Sequence, residues 1–223
     1  MVLTGFFDTI MVGDLGHQQL AAAGVCNSIF FFVAIFPMGV TMAFSTIVGI
    51  LQGKNKTSSY HILARDSFIV TLTLSALGGL GLWYCISHFN LFQQTDIVST
   101  LSKPYLTLVT WSLTPMLIFF FAKNLCDGFS FTLGGMVITL LALALNVFLN
   151  WIFIYGKLGS PAFGLNGAGY ATIISRIFLA ATMLFVLFKS SKIPITFTSF
   201  RKSFLESSRI TFYKRIFTLG LPT

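Results

Sequence analysis

The stretch NVFLNWIFIYGKLGSPAFGLNGAGYATIIS, from Asn146 to Ser175, contains the clearest structural pattern in the chain. It begins as an apolar helix, passes through a short loop rich in glycine and proline, and continues as a second apolar helix. Asn146 and Asn150 are one helical turn apart and share a face, and Thr172 lies on the second helix. The pattern predicts a helical hairpin that places three polar side chains in apolar surroundings, where such groups are costly.

The composition is that of an all-α integral membrane protein. Of the 223 residues, 55% are hydrophobic and 9% are charged, whereas soluble domains carry about 25% charged residues. The net charge of +8 does not indicate a nucleic-acid partner. Most of the Lys and Arg residues lie in short segments between apolar runs, as topology signals do.

The apolar runs predict a bundle of six transmembrane helices. Met1–Gly13 is shorter than the roughly 20 residues that a span needs, and it resembles the second half of a helix. Residues 216–223 resemble the start of a further, seventh helix. We therefore expect either that the chain is part of a longer protein or that its start codon is wrongly chosen. The predicted organisation is a lobe at 1–188 with a truncated first helix, a basic cytoplasmic linker at 189–215, and the start of a helix at 216–223. The other five predicted spans are Leu20–Gln52, Phe68–Ile86, Pro104–Ala122, Gly128–Gly156 and Phe163–Phe188.

The distribution of basic residues predicts the orientation in the membrane. The even-numbered loops and the tail carry eleven Lys and Arg residues, whereas the odd-numbered loops carry two. The positive-inside rule therefore predicts a cytoplasmic amino terminus, with the Asn146–Ser175 loop at the outer face. The first even loop in this count contains Lys54, Lys56 and Arg65.

The basic linker has two interpretations. Phe200, Phe204 and Leu205 recur at helical spacing beside Arg201 and Lys202. This pattern is typical of a helix that lies on the cytoplasmic leaflet and is attracted to anionic lipid. A solvated linker is the alternative.

Asp8 is the first candidate functional residue, because it is an acid inside an apolar segment. A carboxylate there costs several kcal/mol or more, and it can take up a proton or hold a cation. The alternative is a structural position near the outer interface.

The polar residues of the hairpin are the other candidates. Asn146 and Asn150 offer carbonyl oxygens to a cation or a protonated acid, or else they hydrogen-bond neighbouring helices. Thr172 can contribute a hydroxyl group, or bond its own backbone. Arg176 follows near mid-helix and must face protein or water.

The sequence contains no motif of an enzyme. It has no catalytic triad, no phosphate-binding glycine loop and no HExxH motif. Cys26, Cys85 and Cys126 are far apart in sequence, as expected for small buried residues rather than metal ligands. We therefore expect a protein that is not an enzyme and needs no cofactor.

Three segments together resemble the multidrug and toxic compound extrusion (MATE) family of secondary transporters. The first is FDTIMVGDLG at 7–16, followed by LAAA at 20–23. The second is STIVGILQG at 45–53. The third is the Asn146–Ser175 hairpin with its Asn-x3-Asn and GLNGAGYAT motifs, while LGLP at 219–222 resembles the opening of a seventh helix.

The resemblance implies an architecture and a site. It implies twelve helices in two six-helix lobes, of which this chain is the amino-terminal one and lacks its partner lobe. It also implies that Asp8, Asn146, Asn150 and Thr172 surround H⁺ or Na⁺. Some family members carry a second aspartate at the position of Asn150, so this site is expected to bind a cation less strongly.

The expected function is therefore multidrug efflux from a bacterial inner or plasma membrane. An amphipathic, often cationic, drug-like compound would leave in exchange for H⁺ or Na⁺. One alternative is a flippase of the same superfamily for a lipid or lipid-linked intermediate. Another is a channel or a structural membrane subunit that does not transport.

Overall fold

The computed structural model describes residues 2–54, 59–191 and 193–205, and these residues form an all-helical structure. Five stretches are long and apolar enough to cross a membrane: α2, α3, α4 with α5, α6 and α7. The all-α membrane fold predicted from the sequence is thus confirmed. The helices are α1 (Val2–Gly13), α2 (His17–Gly53), α3 (Tyr60–Ser87), α4 (Asp96–Trp111), α5 (Leu113–Gly128), α6 (Thr132–Tyr155), α7 (Leu165–Lys189) and α8 (Phe197–Ser203), with a 3-10 turn at Phe89–Phe92.

Helix α3 begins at Tyr60, eight residues before the predicted span. The helix can include Arg65 and Asp66 because their opposite charges compensate each other. Arg65 donates from Nε and Nη2 to Asp66 Oδ1, at 2.9 and 2.7 Å. Both side chains are buried. Arg65 is therefore a buried helix residue and not the loop residue that the sequence predicts.

The predicted span at Pro104–Ala122 consists of two helices that meet at Ser112. Pro115 has no backbone N–H and cannot bond the carbonyl group of Trp111, so the helical pattern is interrupted there. The Ser112 N–H and hydroxyl groups both donate to the carbonyl oxygen of Val109, at 3.1 and 2.6 Å. The break leaves the Ser112 oxygen able to accept a bond from elsewhere.

The end of α6 turns tightly into the loop before α7. Gly156 has a φ of +68°, which glycine adopts without a Cβ clash. The Lys157 N–H then donates to the Ile152 carbonyl oxygen at 3.0 Å, a bond typical of glycine-terminated helices. Phe163 N–H donates back to the Phe153 carbonyl oxygen at 2.9 Å, which closes the predicted hairpin.

Helix α7 approaches the backbone of α6 at a glycine. A Cβ added to Gly167 would lie 2.5 Å from the Phe153 carbonyl oxygen and 2.8 Å from the Ile154 nitrogen. The neighbouring Ala168 and Ala171 are completely buried. The small residues predicted to form a packing face therefore do pack closely.

The chain divides into two compact units. Unit 1 contains Leu77–Leu113, Thr139–Phe178 and the described part of Met1–Ala34; unit 2 contains Ile35–Ala76, Thr114–Ile138 and the described part of Leu179–Thr223. Unit 1 includes Asp8 and the hairpin. In unit 2, the ring of Phe121 lies 6.4 Å from that of Phe44 and 5.4 Å from that of Phe68.

Part of the basic linker is helical. Helix α8 starts after Thr196, whose side chain and that of Ser199 each accept a hydrogen bond from the other's backbone N–H, as in a capping box. The predicted start of a seventh helix at 216–223, and the linker residues 206–215, lie outside the described residues.

We expect Gly167→Ala to destabilise the protein because the added methyl group meets the α6 backbone, which cannot rotate away. Overpacking of this kind costs about 1–3 kcal/mol. The midpoint of thermal unfolding in detergent should fall. The matched variant is Gly24→Ala, since a Cβ on that helical glycine would have no atom within 4 Å. An unfolding midpoint for Gly167→Ala at or above that of Gly24→Ala would contradict the packing argument.

Candidate cation site

Asp8 is a buried acid that is paired with a side chain of another helix. It lies on α1 and is 8% exposed. Asn150 of α6 donates from Nδ2 to Asp8 Oδ1 at 2.5 Å. A short hydrogen bond between an amide and a carboxylate is among the stronger ones in proteins, so it holds α1 against α6 within unit 1.

Asn150 connects Asp8 to Asn146. Its Nδ2 also lies 3.4 Å from Asn146 Oδ1, and both amide side chains are completely buried. Asn150 Oδ1 and Asn146 Nδ2 are buried without a hydrogen-bond partner. Buried polar atoms of this kind are uncommon, so the cluster keeps an acceptor and a donor available next to a carboxylate.

Thr172 is buried on α7, at 5% exposure, beside the small residues that face the bundle. Among the described residues, no hydrogen bond joins it to Asp8, Asn146 or Asn150. The structure therefore brings together three of the four candidate residues by direct bonds. Thr172 shares their unit and their buried environment.

Arg176 has partners that the sequence did not indicate. Its Nη1 donates to Ser112 Oγ at 2.5 Å, the side chain at the break between α4 and α5. Its guanidinium carbon lies 4.7 Å from the centre of the Phe30 ring, a cation–π distance. Arg176 and Asp8 both belong to unit 1. Within the described part of unit 1, Asp8 is thus a buried acid and Arg176 a half-buried base.

Tyr155 makes a second connection between α1 and α6, which the sequence analysis missed. Its hydroxyl group donates to Asp14 Oδ2 at 2.8 Å and lies 3.3 Å from the Met11 carbonyl oxygen. The available sequence signal was an aromatic residue at the end of an apolar run, which is typical of membrane interfaces.

The cluster suits a proton or a small hard cation. It offers one carboxylate and two amide groups, and oxygen atoms are the ligands that such cations prefer. No group of three or more His, Cys, Asp or Glu side chains that could hold a metal ion occurs in the described part of the chain. The arrangement has one acid, so it gains one positive charge when it takes up one ion.

Comparison with known proteins places the chain in a family. The family model described as MatE matches residues 1–152. The probable multidrug resistance protein NorM of Pasteurella multocida strain Pm70 is 34% identical over 98% of this chain and 47% of its own length. The multidrug resistance protein NorM of Vibrio vulnificus strain CMCP6 is 30% identical, with the same two coverages.

A solved structure shows the same architecture. An inward-facing multidrug resistance MATE family transporter of the MOP superfamily is 25% identical, with a TM-score of 0.87, over 99% of this chain and 48% of its own. The chain thus spans about half the length of the relatives it matches. It is a multi-pass membrane protein that belongs to the multidrug and toxic compound extrusion (MATE) family and corresponds to one lobe of such a transporter.

Proposed function

We propose that this chain is the amino-terminal lobe of a secondary multidrug efflux transporter. The transporter exports amphipathic, often cationic compounds from a bacterial cell across its plasma membrane, in exchange for H⁺ or Na⁺. The observation that carries the proposal is the buried Asp8 carboxylate hydrogen-bonded to Asn150 across two helices. The names of the NorM relatives support the multidrug substrate class.

The coupling ion binds at Asp8, Asn146, Asn150 and Thr172. In the ionised state, Asp8 accepts from the Asn150 amide nitrogen. A proton on Asp8 Oδ1 would turn that oxygen into a donor, and a rotated Asn150 amide would then present its partnerless Oδ1 to the acid. Na⁺ would draw on the same oxygen atoms. Either ion therefore changes the bond between α1 and α6.

The change in that bond couples ion binding to the binding of the transported compound. Helix α1 is tied to α6 by Asp8–Asn150 and by the Tyr155 contacts. A change in the first tie lets α1 shift against the hairpin and alters the surface offered to the substrate. Transport itself requires a second six-helix lobe, because secondary transporters alternate access by rocking one lobe against the other.

The flippase alternative lacks an observation that favours it. A lipid-linked phosphate needs cations that are available to it, and the guanidinium of Arg176 is already bonded to Ser112 and stacked on Phe30. We therefore keep drug efflux as the proposed function.

We expect Asp8→Asn to abolish ion-driven dye efflux by a transporter that contains this lobe. The variant keeps the size of the side chain but removes the charge that attracts the ion. In everted membrane vesicles, export appears as dye uptake into the vesicle. This uptake is measured after a pH or Na⁺ gradient is imposed, at matched protein levels. Asp96→Asn is the control, because Asp96 is exposed at the start of α4. Unchanged efflux in Asp8→Asn would refute the site.

A second carboxylate should strengthen cation binding. Asn150→Asp places a new acid beside Asp8, and an added charge at this distance is worth at least about 1.4 kcal/mol, or about tenfold in affinity. The measurement is ²²Na⁺ binding to the purified chain at alkaline pH, where both acids are ionised. Asn90→Asp adds the same charge at an exposed position and should change little. Equal affinities in the two variants would contradict the assignment of Asn150.

The proposed orientation predicts which loops face the outside. Leu158 lies in the loop between α6 and α7, which is predicted to face the outside, and is 73% exposed. Lys54 directly follows the carboxyl end of α2, in a loop that is predicted to be cytoplasmic. In intact cells, an impermeant maleimide should label Leu158→Cys but not Lys54→Cys, in a background without Cys85. Labelling of Lys54→Cys alone would reverse the assigned topology.

A further inference from the structure

The position of α8 is set by the end of a membrane-spanning helix. Helix α7 is long and apolar enough to cross a membrane and ends at Lys189. The ring of Phe188 lies 5.7 Å from that of Phe197 and 5.4 Å from that of Phe200. These contacts join α8 to the last turn of a helix of membrane-spanning length, so α8 lies beside the end of that helix.

One side of α8 is fixed to the rest of unit 2. The Phe200 ring also lies 5.7 Å from that of Phe68 in α3. Arg65 Nη1 donates to the carbonyl oxygen of Ser203, whose side chain is completely buried. A buried arginine bonded to the last residue of α8 sets its rotation about its own axis, and thereby decides which residues point away.

The residues that point away combine apolar and basic side chains. Phe197 remains 61% exposed beside its contact with Phe188, and Phe204 is 50% and Leu205 92% exposed. Arg201 and Lys202 are exposed between them. We call these five residues the outer face of α8. Large apolar side chains exposed next to paired cations are characteristic of segments in a membrane interface.

We propose that the outer face of α8 is a binding surface for anionic phospholipid. Phe197, Phe204 and Leu205 enter the boundary between headgroups and acyl chains, while Arg201 and Lys202 bind the lipid phosphates. A bilayer offers an apolar boundary and phosphate groups near the end of α7, where the contacts of Phe188 place α8. With the proposed cytoplasmic orientation, this is the leaflet that carries most of the anionic lipid. The surface belongs to unit 2 and shares no residue with the Asp8 cluster of unit 1, so it does not depend on the transport proposal.

The test places a spin label at Leu205 and measures its depth in the membrane. The full chain carries Leu205→Cys in a Cys85→Ser background; the two other cysteines are buried. It is reconstituted in nanodiscs of phosphatidylcholine with increasing phosphatidylglycerol. Collision rates of the label with oxygen and with a water-soluble nickel complex give its depth. We expect the ratio of oxygen to nickel accessibility to rise as phosphatidylglycerol is added.

The basic residues should control that response. Arg201→Gln with Lys202→Gln should weaken the attraction of the outer face to the anionic membrane about thirtyfold, since each basic residue near an anionic surface contributes about 1 kcal/mol, or about fivefold. The phosphatidylglycerol fraction that gives half-effect in the parent chain should then leave the label accessible to nickel. The control pair, Lys103→Gln with Lys157→Gln, removes two exposed charges that lie outside α8 and should leave the response unchanged. Thermal unfolding of each variant verifies that the fold is kept.

Two results would overturn the proposal. Equal access of nickel to the label in neutral and anionic nanodiscs would show that the outer face is merely solvated. A label that is shielded from nickel to the same degree in every lipid composition and in detergent would show that protein, such as a second copy of the chain, covers the surface.

Discussion

A polar group inside a bilayer is costly unless it finds a partner within the protein, because the hydrocarbon core contains no water to replace that partner. The bond between Asn150 and Asp8 is the clearest result of this constraint. It connects residues 142 positions apart in the chain, and it explains why a neutral amide stands opposite an acid. The same constraint pairs Arg65 with Asp66 and brings Arg176 to Ser112. Among the described residues, the buried charges of Asp8, Arg65 and Asp66 are thus each compensated by a hydrogen bond or an ion pair between helices or within one.

Much of the architecture could be predicted from the sequence. The apolar runs, the Gly/Pro loop and the small residues of α7 correctly indicated the helices, the hairpin and its packing face, because these signals are local. The start of α3 was placed too late, since Arg65 and Asp66 resemble a loop until their mutual ion pair is known. The break at Ser112 was missed for a related reason: Pro115 marked a disturbance but not the position of the helix ends.

The candidate site was only partly accessible to sequence reasoning. The spacing of Asn146 and Asn150 and the burial of Asp8 followed from the helical pattern. The direct Asp8–Asn150 bond did not, because it depends on how α1 packs against α6. The partners of Arg176 and the hydrogen bonds of Tyr155 could not be predicted either, since they join residues far apart in the chain. A hydrogen bond between distant segments leaves no periodic signature in a single sequence.

The presence of Asp8 and Arg176 in the same compact unit has an electrical consequence. With Asp8 ionised, these two opposite charges cancel, and the interior of unit 1 is close to neutral. With one ion bound, the same interior carries one net positive charge. Moving one elementary charge across the full membrane potential involves about 2.3 kcal/mol per 100 mV. A lobe built in this way would respond to voltage in its ion-loaded state and be nearly indifferent to voltage when empty, so the membrane potential itself would set the direction in which the loaded form relaxes.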